Sequence, residues 1–427
     1  MSETRPRSDR SRLAGIARHG RLKKSHSAVT ILKFLAAALA VVVVSAASVA
    51  GIAVSQLKSN IKSVTLVGET QGPPPGLGSF DGGFNLLLVG SDTRLGQGAY
   101  AGKDSGVLND VTMLLHVSQD QTNAVAVSIP RDMVVPIPSC PRADGKGNYG
   151  AMSAQPINNT LAYGGLPCTV LTVKALTGLD IPFAALITFQ GVIDMSTAVG
   201  GVPVCINGPM KDKYSGIDLP AAGTYTLSGF QALAFLRSRH GVGDGSDLGR
   251  ISSQQVFLSS LVRTVKSNST LNDFTKLYGL ATAATKNMTL SNSLTNLNTM
   301  VSMALVIKKI PLNRITFVQY PGTTGVGGVY SGKVAPIVSA ANALFAKIKS
   351  DKPFSLDSGT GRGSVPNPNA PSSTATAAPA APAAPAAPAA PAAPAAPAAS
   401  AAPSAPAVLP GVLGQTAADY TCSKVNN

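Results

Sequence analysis

Apolar and polar positions divide this chain into three regimes. From Phe34 to Val54 the run FLAAALAVVVVSAASVAGIAV has 21 residues and no charge. As a helix it is about 31 Å long, matched to a hydrocarbon core. From Asp81 to about Lys352, short apolar runs alternate with helix-like segments. Beyond Asp357 the chain turns to Ala, Pro, Ser and Gly, and Ala378–Ala399 repeats Ala-Pro-Ala, a composition that buries no core.

In the middle regime, Asn85–Val89, Val111–Val117, Ala124–Ser128, Ala184–Thr188 and Val202–Ile206 read as buried strands. Helices are predicted over Cys168–Thr177 (stopped by Gly178), Ser228–Arg237, Arg250–Lys266, Thr295–Lys308 and Pro336–Ile348. Strands interleaved with helices imply an α/β domain, expected as a three-layer α/β/α sandwich around a central sheet.

Charge sets the topology. The chain carries 35 Lys and Arg against 20 Asp and Glu, a net +15. Nine of those cations (Arg5, Arg7, Arg10, Arg12, Arg18, Arg21, Lys23, Lys24, Lys33) precede the apolar run, against Glu3 and Asp9. Positive charge on one flank of a spanning helix marks the cytoplasmic side, so everything after Lys58 is expected outside the cell membrane, in a single-pass arrangement. A cleaved signal peptide is the rival reading, since small residues lie around Ser45–Gly51, but the apolar run exceeds a usual signal core. The expected organisation is a basic cytoplasmic tail (1–33), a transmembrane helix (34–54), a Pro/Gly stalk (55–80) and an outward-facing folded domain (81–355). An Ala/Pro spacer (356–410) and a C-terminal segment (411–427) carrying Cys422 follow.

All four cysteines, Cys140, Cys168, Cys205 and Cys422, follow the apolar run, where disulfides persist, and none has the spacing of a metal or redox motif. Two disulfides are expected. Three pairings are possible, and Cys140–Cys168 with Cys205–Cys422 is preferred.

HExxH, GxxxxGK[ST], GxSxG and a strand-associated GxGxxG are missing from the sequence, which removes the commonest hydrolase and nucleoside-triphosphatase chemistries. What remains is Asp and Arg just beyond apolar strands, where open α/β sheets keep their ligands. Asn85–Arg94 (NLLLVGSDTR) ends in Asp92 and Arg94; Asp110 opens the next strand; Arg131 ends the one after. A glycine-rich stretch, Phe235–Gln255, holds Arg237, Arg239, Asp247, Arg250, Gln254 and Gln255. Arg250 and Gln254 share a helix face near an N-terminus that favours anions, and Asp247 is placed to cap that helix. Taken one by one these residues are ordinary surface arginines and turn aspartates. Together they point to phosphoryl chemistry with a divalent cation, because the planar Arg fork binds phosphate bidentately and stays charged. His116, among alternating apolar positions, reads as a packed histidine and is left out of the site.

At these clusters the sequence resembles the LytR-CpsA-Psr family over roughly residues 84–265. The resemblance rests on NLLLVGSDTR, NDVTMLL, SIPRD, INNTLAYGG (157–165), GGVPV (200–204) and FLRSRH…DLGRISSQQ, in that order. It implies an α/β/α fold with a central mixed sheet, a hydrophobic tunnel for a polyprenyl tail, and transfer of a glycan phosphate from a polyprenyl diphosphate carrier to a peptidoglycan hydroxyl. By position it assigns Mg²⁺ (or Mn²⁺) to Asp92 and Asp110. It assigns the diphosphate to Arg131, Arg237, Arg239, Arg250 and Gln254, with Arg94 and Asp247 at motif positions. Where the family often has an Arg two residues before the second metal Asp, this chain has Leu108, so that contact is absent or comes from Arg94 or Lys103.

Two other classes stay open: a diphosphatase with water as acceptor, and a non-catalytic regulator sensing lipid-linked intermediates. Nucleic acid is not an expected partner, because a DNA-binding motif would have to sit in the 33-residue tail, which has no helix-turn-helix pattern. The Ala/Pro content resembles actinobacterial members, which implies an arabinogalactan-like donor beside teichoic-acid-like ones.

Overall fold

A computed structural model describes residues 27–69, 76, 78–92, 107–356, 359–370 and 407–426. The chain forms two units, 1–56 and 57–427. In the first, helix α1 (Ser27–Asn60) contains the whole charge-free run and extends beyond both its ends. Among the described residues it is the one helix long and apolar enough to cross a membrane, with a mean hydropathy of 2.5.

The second unit is built on an eight-stranded mixed sheet. Its strands are β1 (Lys62–Val64), β2 (Phe84–Ser91), β3 (Asn109–Val117), β4 (Ala124–Ile129), β5 (Phe183–Ile187), β6 (Met288–Ser291), β7 (Ile315–Gln319) and β8 (Gly414–Thr416). They lie in the order β1-β6-β5-β2-β3-β4-β7-β8. Side chains alternate across it. Leu87, Val89, Leu114, Val125, Val127 and Ile129 face α2 (Thr160–Thr177) and, further along the chain, Val338–Lys349, through Val170, Val173, Leu344 and Phe345. Met113, Ala124, Ala126 and Ala185 face the other way, toward Leu258, Val262, Met303 and Val306 of two more helices. Helices on both faces of a mixed sheet make the expected three layers.

The register places the site. β2 runs parallel to β5, and β4 parallel to β7, while β3 is antiparallel to both its neighbours. The C-terminal ends of β2, β4, β5 and β7 therefore share one end of the sheet with the N-terminal end of β3.

Several boundaries differ from expectation. Part of the expected stalk belongs to the domain: β1 pairs with β6, Leu66 is buried, and Phe80 packs on Phe84 and Phe183. Three residues are too short a strand for periodicity to reveal. The expected spacer is ordered at its start, where Ser364–Pro366 joins a four-stranded sheet, and Ala407–Leu409 pairs with Phe354–Leu356. The Ala/Pro repeat lies outside the described residues. α2 begins at Thr160 and is kinked at Gly164 and Gly165, ahead of Pro167. A Cβ on Gly164 would lie 2.8 Å from Cys168 Cβ and 2.7 Å from the Pro141 carbonyl, so this glycine permits the approach that the Cys140–Cys168 disulfide requires. The second disulfide joins Cys205 to Cys422.

Candidate active site

Three further helices complete the frame of the site: α3 (Phe189–Ala198), α4 (Gly229–Arg237) and α5 (Asp247–Lys266). Ser246, not Asp247, caps α5: its hydroxyl accepts from Gly249 N at 3.1 Å. The correction has a plain cause. Asp247 is the first residue of the helix, and its carboxylate is drawn to arginines instead of to the helix's own N–H groups.

At the sheet end defined above, charges from four elements converge. Asp247 lies 2.7 Å from Arg250 and 3.0 Å from Arg239, and its Oδ2 accepts the Arg131 N–H at 3.0 Å. Arg239 also reaches Asp132 at 3.2 Å. Arg131 pairs with Asp110, and Arg250 donates to the Asp110 carbonyl at 2.9 Å. The network is graded in depth. The Asp247 and Arg250 side chains are each 4% exposed and form its floor, while Arg131, Asp132 and Arg239 reach solvent. Burial opposes ionisation of Asp247, but Arg250, Arg239 and Arg131 outweigh it and hold the carboxyl below its ordinary range. Burial likewise works against the Arg131 charge, and Asp110 with Asp132 overcomes it, raising its pKa. At Arg250 burial prevails and pulls the pKa down, against the opposing pull of Asp247 and Asp110.

Of the residues singled out in the sequence, Asp110, Arg131, Arg239, Asp247 and Arg250 are thus gathered into one network. Asp92 is adjacent: its N–H donates to the Leu108 carbonyl at 3.1 Å, and its Oδ1 accepts the Leu108 N–H at 2.8 Å, at the open end of the β2–β3 pair. Arg237 lays its guanidinium over the Phe189 ring at 4.7 Å, at the start of α3. Gln254 is buried and donates to the Leu236 carbonyl at 2.9 Å, tying α5 to the residue before Arg237. Arg94 and Lys103 lie outside the described residues. Asp132 was missed, although it stands beside Arg131 in SIPRD. His116 is packed between Asn85 (2.8 Å) and Asp351 (2.9 Å), away from the network.

Two features describe what the site can hold. Nε of Arg131, of Arg239 and of Arg250 is buried without a hydrogen-bond partner among the described residues. Buried unpaired donors are costly, and three on converging arginines suit an anion with several oxygens. Also among the described residues, no three His, Cys, Asp or Glu side chains converge to cage a metal ion. Asp92 and Asp110, hard oxygen donors on adjacent strand ends, instead suit a cation such as Mg²⁺, which keeps several waters and shares phosphate oxygens.

Comparison with known proteins shows the family. The LytR-CpsA-Psr family profile matches residues 43–345. The cell wall biosynthesis protein LcpA of Corynebacterium glutamicum is 32% identical over 292 residues, covering 62% of this chain and 55% of that protein. The "Probable cell wall biosynthesis protein LcpB" of the same organism is 35% identical over 196 residues, 44% of each chain, so this chain spans about half the length of these two relatives. The polyisoprenyl-teichoic acid–peptidoglycan teichoic acid transferase TagT of Bacillus subtilis is 29% identical, covering 60% of this chain and 76% of that protein. A Streptococcus agalactiae structure superposes with a TM-score of 0.50 at 22% identity, covering 64% of this chain and 90% of the other, a likeness of fold. With seven-tenths of its length matched by the profile, and the motif residues gathered at one end of the sheet, this chain belongs to the LytR-CpsA-Psr family.

Proposed function

We propose that this protein transfers a glycan 1-phosphate from a polyprenyl diphosphate carrier to peptidoglycan, attaching arabinogalactan- or teichoic-acid-like polymers to the cell wall. The observation that carries the reading is the set of three arginines around Asp247 and Asp110, each with a buried Nε that has no hydrogen-bond partner among the described residues. Arg131, Arg239 and Arg250 grip the diphosphate, and Arg237, stacked on Phe189, joins them by its motif position. A peptidoglycan hydroxyl attacks the glycan-bearing phosphorus, the bridging P–O bond breaks, and polyprenyl phosphate leaves with the electron pair while the hydroxyl proton goes to solvent. Such a reaction needs positioning and charge neutralisation more than a protein nucleophile. Mg²⁺ (or Mn²⁺) on Asp92 and Asp110 would supply further neutralisation of the phosphate oxygens. Helix α1 serves as the uncleaved anchor, with the basic tail in the cytoplasm and the site outside.

The test uses the full chain in detergent with a polyprenyl diphosphate glycan, peptidoglycan fragments and Mg²⁺, following polyprenyl phosphate release and glycan attachment together. Attachment should fall about 100-fold or more in Arg239→Ala, the cost typical of losing one preorganised charge donor, and should stop when the metal is chelated. Release without attachment would make the protein a diphosphatase; neither product, with donor still bound, would make it a regulator.

A further inference from the structure

We propose that Asp212 is the positioning residue for Arg239, an inference that rests on the arginine network being the diphosphate site. Asp212 ends the strand Met210–Asp212 and lies outside every motif named above. It is 3% exposed and has no ion-pair partner among the described residues. Its charge is met by hydrogen bonds alone. Oδ2 accepts from three consecutive residues just beyond α4: the Ser238 hydroxyl at 2.9 Å, Arg239 N at 3.0 Å and His240 N at 3.1 Å. Oδ1 accepts from Tyr214 N at 2.9 Å and Ser215 N at 3.4 Å, which fixes the carboxylate at its own end.

Successive N–H groups turned toward one anion form a nest, and here the anion belongs to the protein. Burial would raise the Asp212 pKa; the Ser238 hydroxyl and the N–H groups of Tyr214, Arg239 and Ser215 outweigh it and lower it. Gly241 allows the close fit, since a Cβ there would lie 3.2 Å from Met210 and 3.3 Å from Asp212. The clamp therefore fixes the backbone from which the Arg239 side chain extends to Asp132 and Asp247. Asparagine has the same shape but turns one acceptor into a donor, so at least two of the five donors lose their partner.

The test has two arms, run on the full chain and on Asp212→Asn. In hydrogen–deuterium exchange without ligand, the Arg239 and His240 amides should lose protection about tenfold or more while the interior of α5 keeps its own, because local openings are separable from global unfolding. In calorimetric titration with geranylgeranyl diphosphate and Mg²⁺, Asp212→Asn should weaken binding roughly tenfold, yet change it less than about twofold when Arg239 is already alanine, since residues acting through one group are not additive. Unchanged exchange at Arg239 and His240, or losses that multiply in the double variant, overturns the proposal. A wild-type chain that binds no diphosphate would instead sink the functional reading, and the exchange arm would still decide whether Asp212 holds the turn. Where Asp212→Asn does not fold, Ser238→Ala, which removes one donor only, goes through the same two arms with the same criteria.

Discussion

Replacing Asp247 with alanine should destabilise the 57–427 unit by about 3–5 kcal/mol at pH 7, the usual cost of removing one partner from a buried ion pair. The magnitude follows from what remains: Arg250, its side chain 4% exposed, loses a carboxylate at 2.7 Å, Arg239 loses one at 3.0 Å, and the Arg131 N–H loses its acceptor. Ordinary surface substitutions stay within about 0.5 kcal/mol, so the effect is unmistakable in thermal denaturation. Its pH dependence has a definite sign. The Asp247 pKa is lowered in the folded protein, so its contribution is complete above the ordinary carboxylate value of 3.8 and is lost as pH falls through the folded value. Stability of the wild type minus that of Asp247→Ala should be constant from pH 7 to about 5 and shrink below about pH 4. A difference under about 1 kcal/mol at pH 7 would mean that Asp247 does not bear the charge of the network.

The second large effect is expected at the C-terminus. The Cys205–Cys422 disulfide closes a separation of 217 residues, and its chain-entropy contribution is about 5 kcal/mol, against about 3.6 kcal/mol for the 28-residue separation of Cys140–Cys168. More than stability is at stake. The segment after Cys422 lies along the turn that carries Arg239 and Asp247: Gly243 N donates to the Lys424 carbonyl at 2.8 Å, and Asn426 N to the Gly241 carbonyl at 3.2 Å. Gly363, just before the strand Ser364–Pro366 that pairs with the strand of Cys422, approaches so closely that a Cβ there would collide with the Gly249 carbonyl in the first turn of α5. Cys422→Ser should therefore lower the melting temperature and reduce turnover together. Cys140→Ser should lower the melting temperature and affect turnover less. Equal effects on turnover would show that the C-terminal segment does not brace the turn.

These two predictions also mark what was legible in the sequence. Strands β2, β3 and β4 were plain because continuous apolar runs buried on both faces leave few other readings. β7, between β4 and β8, escaped notice: Ile315–Gln319 is short, follows Arg314, and owes its place to pairing with a strand nearly two hundred residues earlier. Arg131, Arg239 and Arg250 were legible only as a group: each alone is an ordinary surface arginine, and it is their clustering with aspartates beyond apolar strands that points to an anion. Asp132 was passed over because an Asp beside an Arg looks like a local ion pair; only the fold brings Arg239 to it. Asp212 left no trace, since it binds backbone N–H groups, which every residue supplies. The cysteines showed where the C-terminal segment is tied, but its strands were unreadable for a related reason: they pair only across long separations, and a span of three residues has no periodicity of its own.

A crystal structure of the protein with geranylgeranyl diphosphate and Mg²⁺ decides whether the arginine network holds a diphosphate. Both phosphates should lie within hydrogen-bond distance of Arg131, Arg239 and Arg250, with at least one of their Nε groups donating to a phosphate oxygen, and the cation between Asp92 and Asp110. Phosphate density elsewhere, for instance in the groove lined by Arg314, Lys347 and Lys352 at the far end of the sheet, with the network unchanged and empty at saturating ligand, would contradict the diphosphate reading.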